Sequence, residues 1–252
     1  MNILTLDTET SPNAVDTWGL FNQTIGITQI RKPGSLLCFA AKWLDRPRDE
    51  VIFDSINQST PRHVARHLHS LYSDADIIIG YNSIAFDTKV VNKEFLMHGL
   101  PPPAPFKQID LLKTMRQRFR FASNKLDFVT QQMKIGAKTH HQGHGLWTLC
   151  EAGDQEAWAL MEKYNRQDVV LTEDLYLKLR PWVVGHPNLN NFADTQTPAC
   201  SSCGSADLQS RGFARTLTQT YRRYQCKGCG TWTKEGFGLR RPADLRQIMR
   251  AA

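Results

Sequence analysis

Short apolar segments alternate with amphipathic ones along the greater part of the chain, and this alternation limits the folds that it can adopt. The run Ala75–Gly80 contains three consecutive isoleucines and is typical of a buried strand at the centre of a sheet. The segment Pro61–Tyr72 carries apolar residues at helical spacing after a Thr-Pro start signal, which predicts an amphipathic helix. Strands that alternate with helices indicate an α/β sheet domain over about the first 180 residues.

The other predicted elements complete this domain. Pro101 and its two neighbouring prolines end one helix, and Pro181 ends the last and longest helix. Further strands are predicted at Asn2–Thr8, Leu36–Leu44 and Val51–Ile56, and further helices at Ile84–His98, Asp110–Arg120, Lys125–Met133 and Asp154–Leu179.

The net charge of +7 is concentrated at the C-terminal end of the sequence. Residues 198–252 hold 10 Lys and Arg against 3 Asp and Glu, whereas residues 1–197 hold 21 of each kind. A basic module beside a neutral one suggests a polyanionic partner such as nucleic acid, although a solvated basic surface explains the charge alone equally well. We expect a domain over residues 1–182, a linker over 183–198, a small module over 199–236 and a basic tail over 237–252.

Membrane and export signals are not found in the sequence. No stretch approaches the roughly 18 consecutive apolar residues of a membrane span, and the N-terminus lacks the features of a signal peptide. Four of the six cysteines form two C-x-x-C pairs, a pattern that favours metal binding in a reducing compartment over disulfides. We therefore expect an intracellular, cytoplasmic protein with no membrane partner.

Acidic residues stand at three separate points where predicted elements begin or end. Asp7 and Glu9 end the first strand two residues apart, so both side chains leave the same face at the carboxyl edge of the sheet, where open α/β sheets place ligands. Asp87 follows the central strand, and Asp168 lies one helical turn after Tyr164 in the last helix. Because converging carboxylates repel one another, the arrangement predicts two Mg²⁺ or Mn²⁺ ions, which prefer oxygen ligands.

Each of these fragments is a weak signal by itself, because the same chain repeats two of them elsewhere. A second D-x-E sequence occurs at Asp154 and Glu156, but these residues begin a helix, where positions two apart point to different sides. A second Y-x-x-x-D sequence, at Tyr72 and Asp76, spans the end of a helix and the start of a strand. The order and setting of the three segments carry the prediction, since a single strand-end Asp is as often an N-cap or turn residue.

The three segments read L-D-T-E-T at Leu6–Thr10, N-S-I-A-F-D at Asn82–Asp87 and Y-N-R-Q-D at Tyr164–Asp168. They resemble the exonuclease motifs of the DEDD proofreading-exonuclease superfamily over about residues 1–180. The similarity is greatest to the exonuclease domains of family B DNA polymerases and their stand-alone relatives, which implies a ribonuclease H-like mixed sheet flanked by helices. The Tyr subtype is indicated, because the other subtype would place His at position 163, which is Lys163 here.

That resemblance implies a role for each motif residue. Asp7, Glu9 and Asp168 would hold one metal ion. Asp7 would also touch a second ion, Asp87 would act through a water molecule, and Tyr164 would orient or help to deprotonate the attacking water. In such a site one ion makes hydroxide available near neutral pH, and the other stabilises the leaving 3′ oxygen. The residues implied to contact the terminal nucleotide are Thr10, Asn82 and Phe86, the last of which is equally well explained as a core aromatic.

Two C-x-x-C knuckles near the C-terminus are separated by 22 residues, the spacing of a structural zinc site. The segment Phe213–Gln225 between them alternates in the manner of a β-hairpin, and the module resembles a zinc ribbon with one Zn²⁺. Its strands interleave arginines with aromatics, as single-strand binding proteins do, although a solvated hairpin would also carry them. The predicted ligands are Cys200, Cys203, Cys226 and Cys229, and the predicted nucleic-acid contacts are Arg215, Arg222 and Arg223.

A histidine-rich segment precedes the last helix. His140, His141 and His144 have no neighbouring Cys and no helical frame, so a polar loop is favoured over a metal site. Lys138, just before them, is predicted to line the substrate cleft.

Together these features favour a 3′-to-5′ exonuclease that hydrolyses the 3′ ends of single-stranded DNA, with replication or repair proteins as its expected partners. Three alternatives fit the same sequence. A 3′-to-5′ exoribonuclease is the nearest, because nothing in the sequence discriminates a 2′-hydroxyl. A structure-directed endonuclease would use the same fold but not the Tyr motif. A nucleic-acid-binding adaptor with an inactive nuclease core is disfavoured by the intact acidic set.

Overall fold

The computed structural model describes residues 1–140, 143–192, 197–236 and 238–239. The chain divides into two compact units, residues 2–176 and residues 177–252, and Met1 groups with the second. Three parts of the sequence interpretation lie outside the described residues: His141, residues 193–196 of the predicted linker, and the basic tail apart from positions 238 and 239.

The first unit contains a five-stranded sheet, a two-stranded ribbon and helices, the last of which continues into the second unit. In chain order the elements are β1 (Ile3–Thr10), β2 (Ala14–Val15), β3 (Ile30–Lys32), β4 (Leu36–Trp43), β5 (Ile52–Ser55), α1 (Pro61–Asp74), β6 (Ile77–Gly80), α2 (Asp87–Met97), β7 (Lys107–Asp110), α3 (Leu111–Arg118), α4 (Leu126–Gln132), α5 (Gly145–Glu151) and α6 (Gln155–Leu179).

The sheet is mixed, in the order β5-β4-β1-β6-β7. Strand β1 lies at its centre, antiparallel to β4 and parallel to β6, and β7 continues the parallel half. The predicted mixed sheet is therefore confirmed. Because β1, β6 and β7 run in the same direction, their carboxyl ends meet at one edge, where polar side chains from different segments can converge.

Helices cover both faces of this sheet. Leu4 and Leu6 of β1 pack into a buried cluster with residues of α1 and α2. Leu37 and Cys38 belong to a second cluster with residues of α5 and α6. Alternate residues of a strand face opposite sides, so Asp7 and Glu9 lie on the face opposite to Leu4 and Leu6.

The segment before α2 is a turn, and the helix begins at Asp87 instead of the predicted Ile84. The chain passes so close to itself here that a Cβ on Gly80 would lie 2.5 Å from the Cβ of Ser83. Asn82 has a φ of +67°, a left-handed conformation that Asn tolerates better than most residues. Because of this turn, the helix begins three residues later than predicted, and Asp87 is brought to the end of the sheet.

The sequence does not predict the ribbon β2–β3, strand β7 or helix α5. The ribbon strands have two and three residues, β7 has four and α5 has seven. The three strands hold at most two apolar residues each, too few to display a hydrophobic period. Helix α5 is as long as the predicted α4, so its length does not explain why it was missed.

The second unit contains a three-stranded antiparallel sheet in the order β10-β9-β8. Its strands are β8 (Leu208–Arg215), β9 (Thr220–Cys226) and β10 (Trp232–Lys234). The hairpin predicted over Phe213–Gln225 corresponds to β8 and β9, and β8 is longer than predicted, with a bulge between Ser210 and Phe213.

None of the helices in the described parts of the chain combines the length and the apolar character that crossing a bilayer demands.

Candidate active site and zinc site

Three carboxylates from β1 and α6 form the centre of the candidate active site. One oxygen each from Asp7, Glu9 and Asp168 lie within 4.8 Å of one another. The Oδ1 atom of Asp168 is buried and has no hydrogen-bond partner among the described residues. A buried, unpartnered carboxylate oxygen is costly, and the usual compensation is a hydrogen-bond donor or a cation. The donor set, all oxygen and all acidic, suits Mg²⁺ or Mn²⁺.

Two donors fix the carboxylates of β1. Asn165 of α6 donates from Nδ2 to Oδ2 of Asp7 at 2.7 Å, and its own Oδ1 faces the Cys38 thiol at 3.9 Å. Trp147 of α5 donates from Nε1 to Oε2 of Glu9 at 2.9 Å. The sequence interpretation gave neither donor a role. Asn165 lies inside the Y-x-x-x-D motif, and its position one residue after Tyr164 could have indicated a role. No sequence signal indicates a role for Trp147, because α5 was not predicted.

Asp87 approaches the site from the other face of the sheet. Its Oδ1 accepts hydrogen bonds from the backbone N–H of Thr8 at 3.0 Å and from the Thr8 hydroxyl at 2.7 Å. Asp87 does not belong to the group of three carboxylates that could hold one ion among the described residues. With one oxygen committed to Thr8, Asp87 has a single oxygen left for other partners.

Lys138 is placed at the acidic centre. Its ammonium group donates to Oδ2 of Asp168 and, at 3.0 Å, to the hydroxyl of Tyr164. The backbone N–H of Lys138 donates to Oδ1 of Asp127 in α4 at 2.8 Å, which fixes the segment. Burial lowers the pKa of Lys138, but the charge of Asp168, the neighbouring Tyr164 and the hydrogen bonds to both together raise it above the ordinary value. Lys138 therefore stays charged and neutralises part of the acidic cluster.

Burial and mutual repulsion raise the pKa values of the clustered acids. Burial, followed by the charges of Asp87 and Glu9, raises the pKa of Asp7 well above its ordinary value. Burial raises the pKa of Glu9 to about 7, and it raises the pKa of Asp168 as well. Three carboxylates whose charged forms are disfavoured by burial and mutual repulsion form a cluster that a divalent cation would stabilise.

A cleft of about 790 Å³ opens beside the acidic cluster. Of the residues predicted to contact substrate in this unit, Asn82 and Lys138 belong to the described lining, together with Asp7 and Tyr164 of the motifs. Thr10 and Phe86 are not part of that lining, although Phe86 is 44% exposed and is thus not a core aromatic. The sequence interpretation missed other polar lining residues, namely Tyr81, Arg116, Ser123, Asn124, Lys125 and Asp127.

Asp110 holds the loop that carries the second motif. Its Oδ1 accepts from the backbone N–H of Asn82 at 2.9 Å and from that of Leu112 at 3.0 Å, while its Oδ2 accepts from Ile84 at 3.3 Å. One carboxylate therefore caps α3 and fixes the turn before Asp87. No motif marks Asp110, since β7 was not predicted.

The two cysteine knuckles of the second unit come together. The Sγ atoms of all four cysteines lie within 4.8 Å of one another, with 3.6 Å between Cys200 and Cys229 and 3.6 Å between Cys203 and Cys226. A tetrahedral zinc ion with Zn–S bonds of about 2.3 Å requires sulfurs about 3.8 Å apart. Burial raises the pKa of Cys226, but hydrogen bonds from backbone N–H groups of the knuckle and from the Cys203 thiol lower it to about 7. The cluster could therefore hold a zinc ion.

Both knuckles use the same turn. Gly204 follows one cysteine pair with a φ of +75°, and Gly230 follows the other with a φ of +82°. The N–H of Gly204 donates to the carbonyl of Cys200 at 2.9 Å, and that of Gly230 donates to the carbonyl of Cys226 at 2.9 Å. Glycine is required because a side chain is strained in the left-handed conformation. The two halves of the cluster are thus equivalent in backbone geometry.

His140 and His144, the described histidines of the histidine-rich segment, belong to neither cluster. The groups that could hold a metal within the described ranges are the three carboxylates and the four cysteines, and neither contains His140 or His144. His144 instead stands at the N-terminus of α5.

The fold and the acidic edge define a ribonuclease H-like protein. The sequence model of the RNase_H superfamily matches residues 27–180, more than half of the chain, and the chain belongs to that superfamily.

One solved structure extends this comparison. The family B DNA polymerase from the hyperthermophilic archaeon Pyrobaculum calidifontis is similar to this chain with a TM-score of 0.55 and 18% sequence identity. The similarity covers 71% of this chain but only 24% of the polymerase chain, so it concerns the fold alone. Curated protein sequences give no significant match. The fold similarity agrees with the resemblance that the three sequence motifs carry.

The raised pKa of Glu9 predicts that the protein without divalent cations loses stability as the pH rises. The ordinary pKa is 4.5 and the folded value is about 7, so between these values the folded state holds the extra proton and the free energy of unfolding falls with rising pH. A divalent cation removes this cost. We expect calorimetry to show that Mn²⁺ raises the Tm more at about pH 7.5 than at about pH 5. Equal Mn²⁺ effects at both values would contradict this, and Glu9→Gln should reduce the difference.

Replacing Trp147 by Phe is expected to weaken cation binding while keeping an aromatic ring at this position. Phe retains an aromatic ring near Tyr164, whose ring lies 5.9 Å from that of Trp147, but it removes the N–H that fixes Glu9. Loss of such a supporting hydrogen bond typically weakens metal affinity about tenfold or more. Calorimetric titration with Mn²⁺ measures the effect. Trp18→Phe, at a fully exposed position, is the matched control, and equal affinities for the two variants would refute the role of Trp147.

Proposed function

We propose that this protein is a metal-dependent 3′-to-5′ exonuclease that hydrolyses the 3′ ends of single-stranded DNA. One observation carries the proposal: Asp7, Glu9 and Asp168 bring three carboxylate oxygens within 4.8 Å at the carboxyl edge of a ribonuclease H-like sheet. Stability alone does not account for the cluster, because burial and repulsion disfavour its charged form. Perturbed acids grouped beside a cleft are the usual sign of a catalytic site.

Two Mg²⁺ or Mn²⁺ ions fit this site. Asp7, Glu9 and Asp168 would hold the first ion, and the buried Oδ1 of Asp168 has no other partner in the described chain. Asp7 would share the second ion, and Asp87 would assist through a water molecule because Thr8 already occupies one of its oxygens. When bound, such ions make the attacking water more acidic and stabilise the leaving 3′ oxygen.

The protein's own residues orient the reacting groups. Asn165 and Trp147 hold the carboxylates of Asp7 and Glu9 in fixed directions, so little reorganisation is needed when substrate arrives. Burial and the charge of Asp168 raise the pKa of Tyr164 above its ordinary value, so its phenol stays protonated at neutral pH. Tyr164 therefore orients the attacking water by hydrogen bonding and does not act as its base.

The substrate would enter the cleft beside these groups. Asn82 and Lys138 would contact the terminal nucleotide, and Thr10 and Phe86 would flank it from the first two motifs. Arg116 and Lys125, which also line the cleft, would bind phosphates further along the strand, since cations in a groove track the backbone of single-stranded nucleic acid.

The second unit would hold one structural Zn²⁺ through Cys200, Cys203, Cys226 and Cys229. Thiolate ligands persist in a reducing compartment, which supports the cytoplasmic location expected from the sequence. Replication or repair proteins would bring the enzyme to free 3′ ends.

Cleavage of end-labelled oligonucleotides tests the proposal. DNA and RNA strands carrying a 5′ label, single- and double-stranded, would be incubated with Mg²⁺ or Mn²⁺, and the products separated by length. We expect a descending ladder from single-stranded DNA. A ladder from RNA alone would make the protein an exoribonuclease, and discrete internal cuts would make it an endonuclease. Absence of cleavage together with a retarded complex would favour a binding adaptor.

A further inference from the structure

Strand pairing in the zinc ribbon sorts its basic and aromatic residues onto two faces. Trp232 is opposite Gln225 in the β10–β9 pair, and Lys234 is opposite Arg223. Opposed residues of antiparallel strands share a face, and alternate residues of one strand do as well. The face that we call the aromatic face therefore carries Tyr221, Arg223, Trp232 and Lys234.

The cations of the aromatic face lie over its rings. The guanidinium of Arg223 is 4.5 Å from the ring centroid of Trp232, and the ammonium of Lys234 is 3.9 Å from that of Tyr221. Trp232 is nonetheless 50% exposed. A ring with a cation over it and solvent around it can stack on a planar base, and the long side chain of the cation can then turn to a phosphate.

The other face is different in character. Phe213 is opposite Arg222, and Arg215 is opposite Thr220, so these two arginines lie on the same face as Tyr224. The hydroxyl of Tyr224 donates to the Glu235 carboxylate at 2.6 Å. Tyr224 also lines a cavity of about 310 Å³ that residues 188, 190 and 197–199 of the same unit help to enclose, and Lys234 belongs to its lining as well. Part of this face is therefore covered by the unit's own chain and contains an acid.

The composition of the aromatic face selects its partner. The four residues that define this face include two cations and no carboxylate, so the face is complementary in charge to a polyanion. Strand pairing adds one small aliphatic residue to this face, Ala214 opposite Tyr221, whereas protein-docking patches commonly add larger apolar contacts around their aromatics. Aromatics and cations that alternate across strands are the arrangement that binds unpaired bases and their phosphates without sequence preference.

We propose that the aromatic face binds single-stranded nucleic acid, with Tyr221 and Trp232 stacking on bases and Arg223 and Lys234 contacting phosphates. Arg215 and Arg222 lie outside the contact. This proposal adds a second binding surface for the substrate of the proposed function. It rests on single-stranded nucleic acid being that substrate, but it does not require that the protein hydrolyse it.

Two charge-matched pairs of substitutions test the proposal in the full-length protein. The variants Arg223→Ala with Lys234→Ala, and Arg215→Ala with Arg222→Ala, each remove two positive charges. Both would be made in an Asp7→Asn background, which prevents degradation of the probe. Fluorescence anisotropy with a 5′-labelled oligothymidine of about 20 nucleotides, the length of a few binding sites, measures the Kd. We expect the first pair to raise the Kd about tenfold and the second pair less than about twofold.

Equal losses from the two pairs would mean that only net charge matters, and they would overturn the face assignment. A larger loss from the Arg215 and Arg222 pair would overturn it as well. Trp232→Ala is expected to raise the Kd about tenfold, whereas Phe213→Ala on the opposite face, 44% exposed, is its control. Zinc content and thermal unfolding of every variant identify those that fail to fold, and Trp232→Phe, which keeps a stacking ring, should restore most of the binding.

The same experiments separate this inference from the exonuclease proposal. If the wild-type protein does not cleave DNA but the pairs differ in binding as expected, the exonuclease assignment fails and the aromatic face stands. If DNA is degraded while all ribbon variants bind like the parent, the aromatic face fails and the exonuclease stands.

Discussion

Asp7→Asn is expected to abolish hydrolysis while stabilising the protein that lacks divalent cations. Asn keeps an oxygen that can accept from Asn165, so the local hydrogen bond survives. The substitution also removes the charge of the Asp7 carboxylate. The pKa of this carboxylate is raised well above the ordinary value by burial and by the charges of Asp87 and Glu9. A catalytic cation contributes several kcal/mol to transition-state stabilisation, so its loss should lower kcat/KM at least about a thousandfold.

Two measurements on one variant check this expectation. Cleavage of single-stranded DNA in Mg²⁺ gives the activity, and calorimetry without added Mg²⁺ or Mn²⁺ gives the Tm. Glu156→Gln, from the exposed D-x-E sequence at the start of α6, is the matched control and should change neither quantity. A variant that keeps substantial activity would refute the role of Asp7. A variant that is inactive but also destabilised would assign Asp7 to the fold.

Loss of the zinc site is expected to have the largest effect on stability. Cys226→Ser should reduce bound zinc from one equivalent to none and unfold the ribbon, because small ribbons of this kind derive on the order of 10 kcal/mol of folding free energy from the metal. The sulfurs of Cys226 and Cys203 are 3.6 Å apart, so one substitution breaks the tetrahedral set. Emission spectrometry of the purified protein measures the zinc, and limited proteolysis detects the unfolded ribbon.

Cys150→Ser is the control for this experiment, since Cys150 is buried in the first unit and is a free thiol. It should retain one equivalent of zinc. If Cys226→Ser also retained the metal and resisted proteolysis, the ribbon would not depend on zinc.

The sequence was sufficient to predict those parts of the site that lie on long elements. Asp7 and Glu9 follow from the period of β1, and Asp168 follows from its position one turn after Tyr164 in α6. These residues converge because strand ends and a helix face have fixed geometry. The cysteine cluster was predictable for a similar reason, since a C-x-x-C turn can direct both thiols to one point.

The residues that orient the acids could not be predicted, because no local pattern marks their contacts. Trp147 binds Glu9 across a sequence separation of 138 residues, and Asp110 binds the backbone of Asn82 across 28. Lys138 was predicted to line the cleft, but its contact with Asp168 depends on how Asp127 holds the loop. Contacts of this kind are tertiary, and no local period encodes them.

The ribbon illustrates the same limit. The sequence predicts the same role for Arg215, Arg222 and Arg223, because all three lie in strands beside aromatic residues. The bulge between Ser210 and Phe213 and the pairing of β10 decide which face each one occupies. Adjacent residues of one strand face opposite sides, so Arg222 and Arg223 are already separated by the sequence. A one-residue change of register reverses the faces of a strand, so only the paired structure shows which of the two shares a face with Arg215 and which with Trp232.

The metal site can be tested by diffraction from a crystal soaked in Mn²⁺ and recorded at the manganese absorption edge. We expect an anomalous peak bonded to Asp7, Glu9 and Asp168, with the ammonium of Lys138 moved away from the carboxylate that it now contacts. A second, weaker peak should lie on the other side of Asp7. Peaks only at other positions, or none at saturating Mn²⁺ with the three carboxylates ordered, would contradict the claim that these acids form a metal-dependent nuclease site.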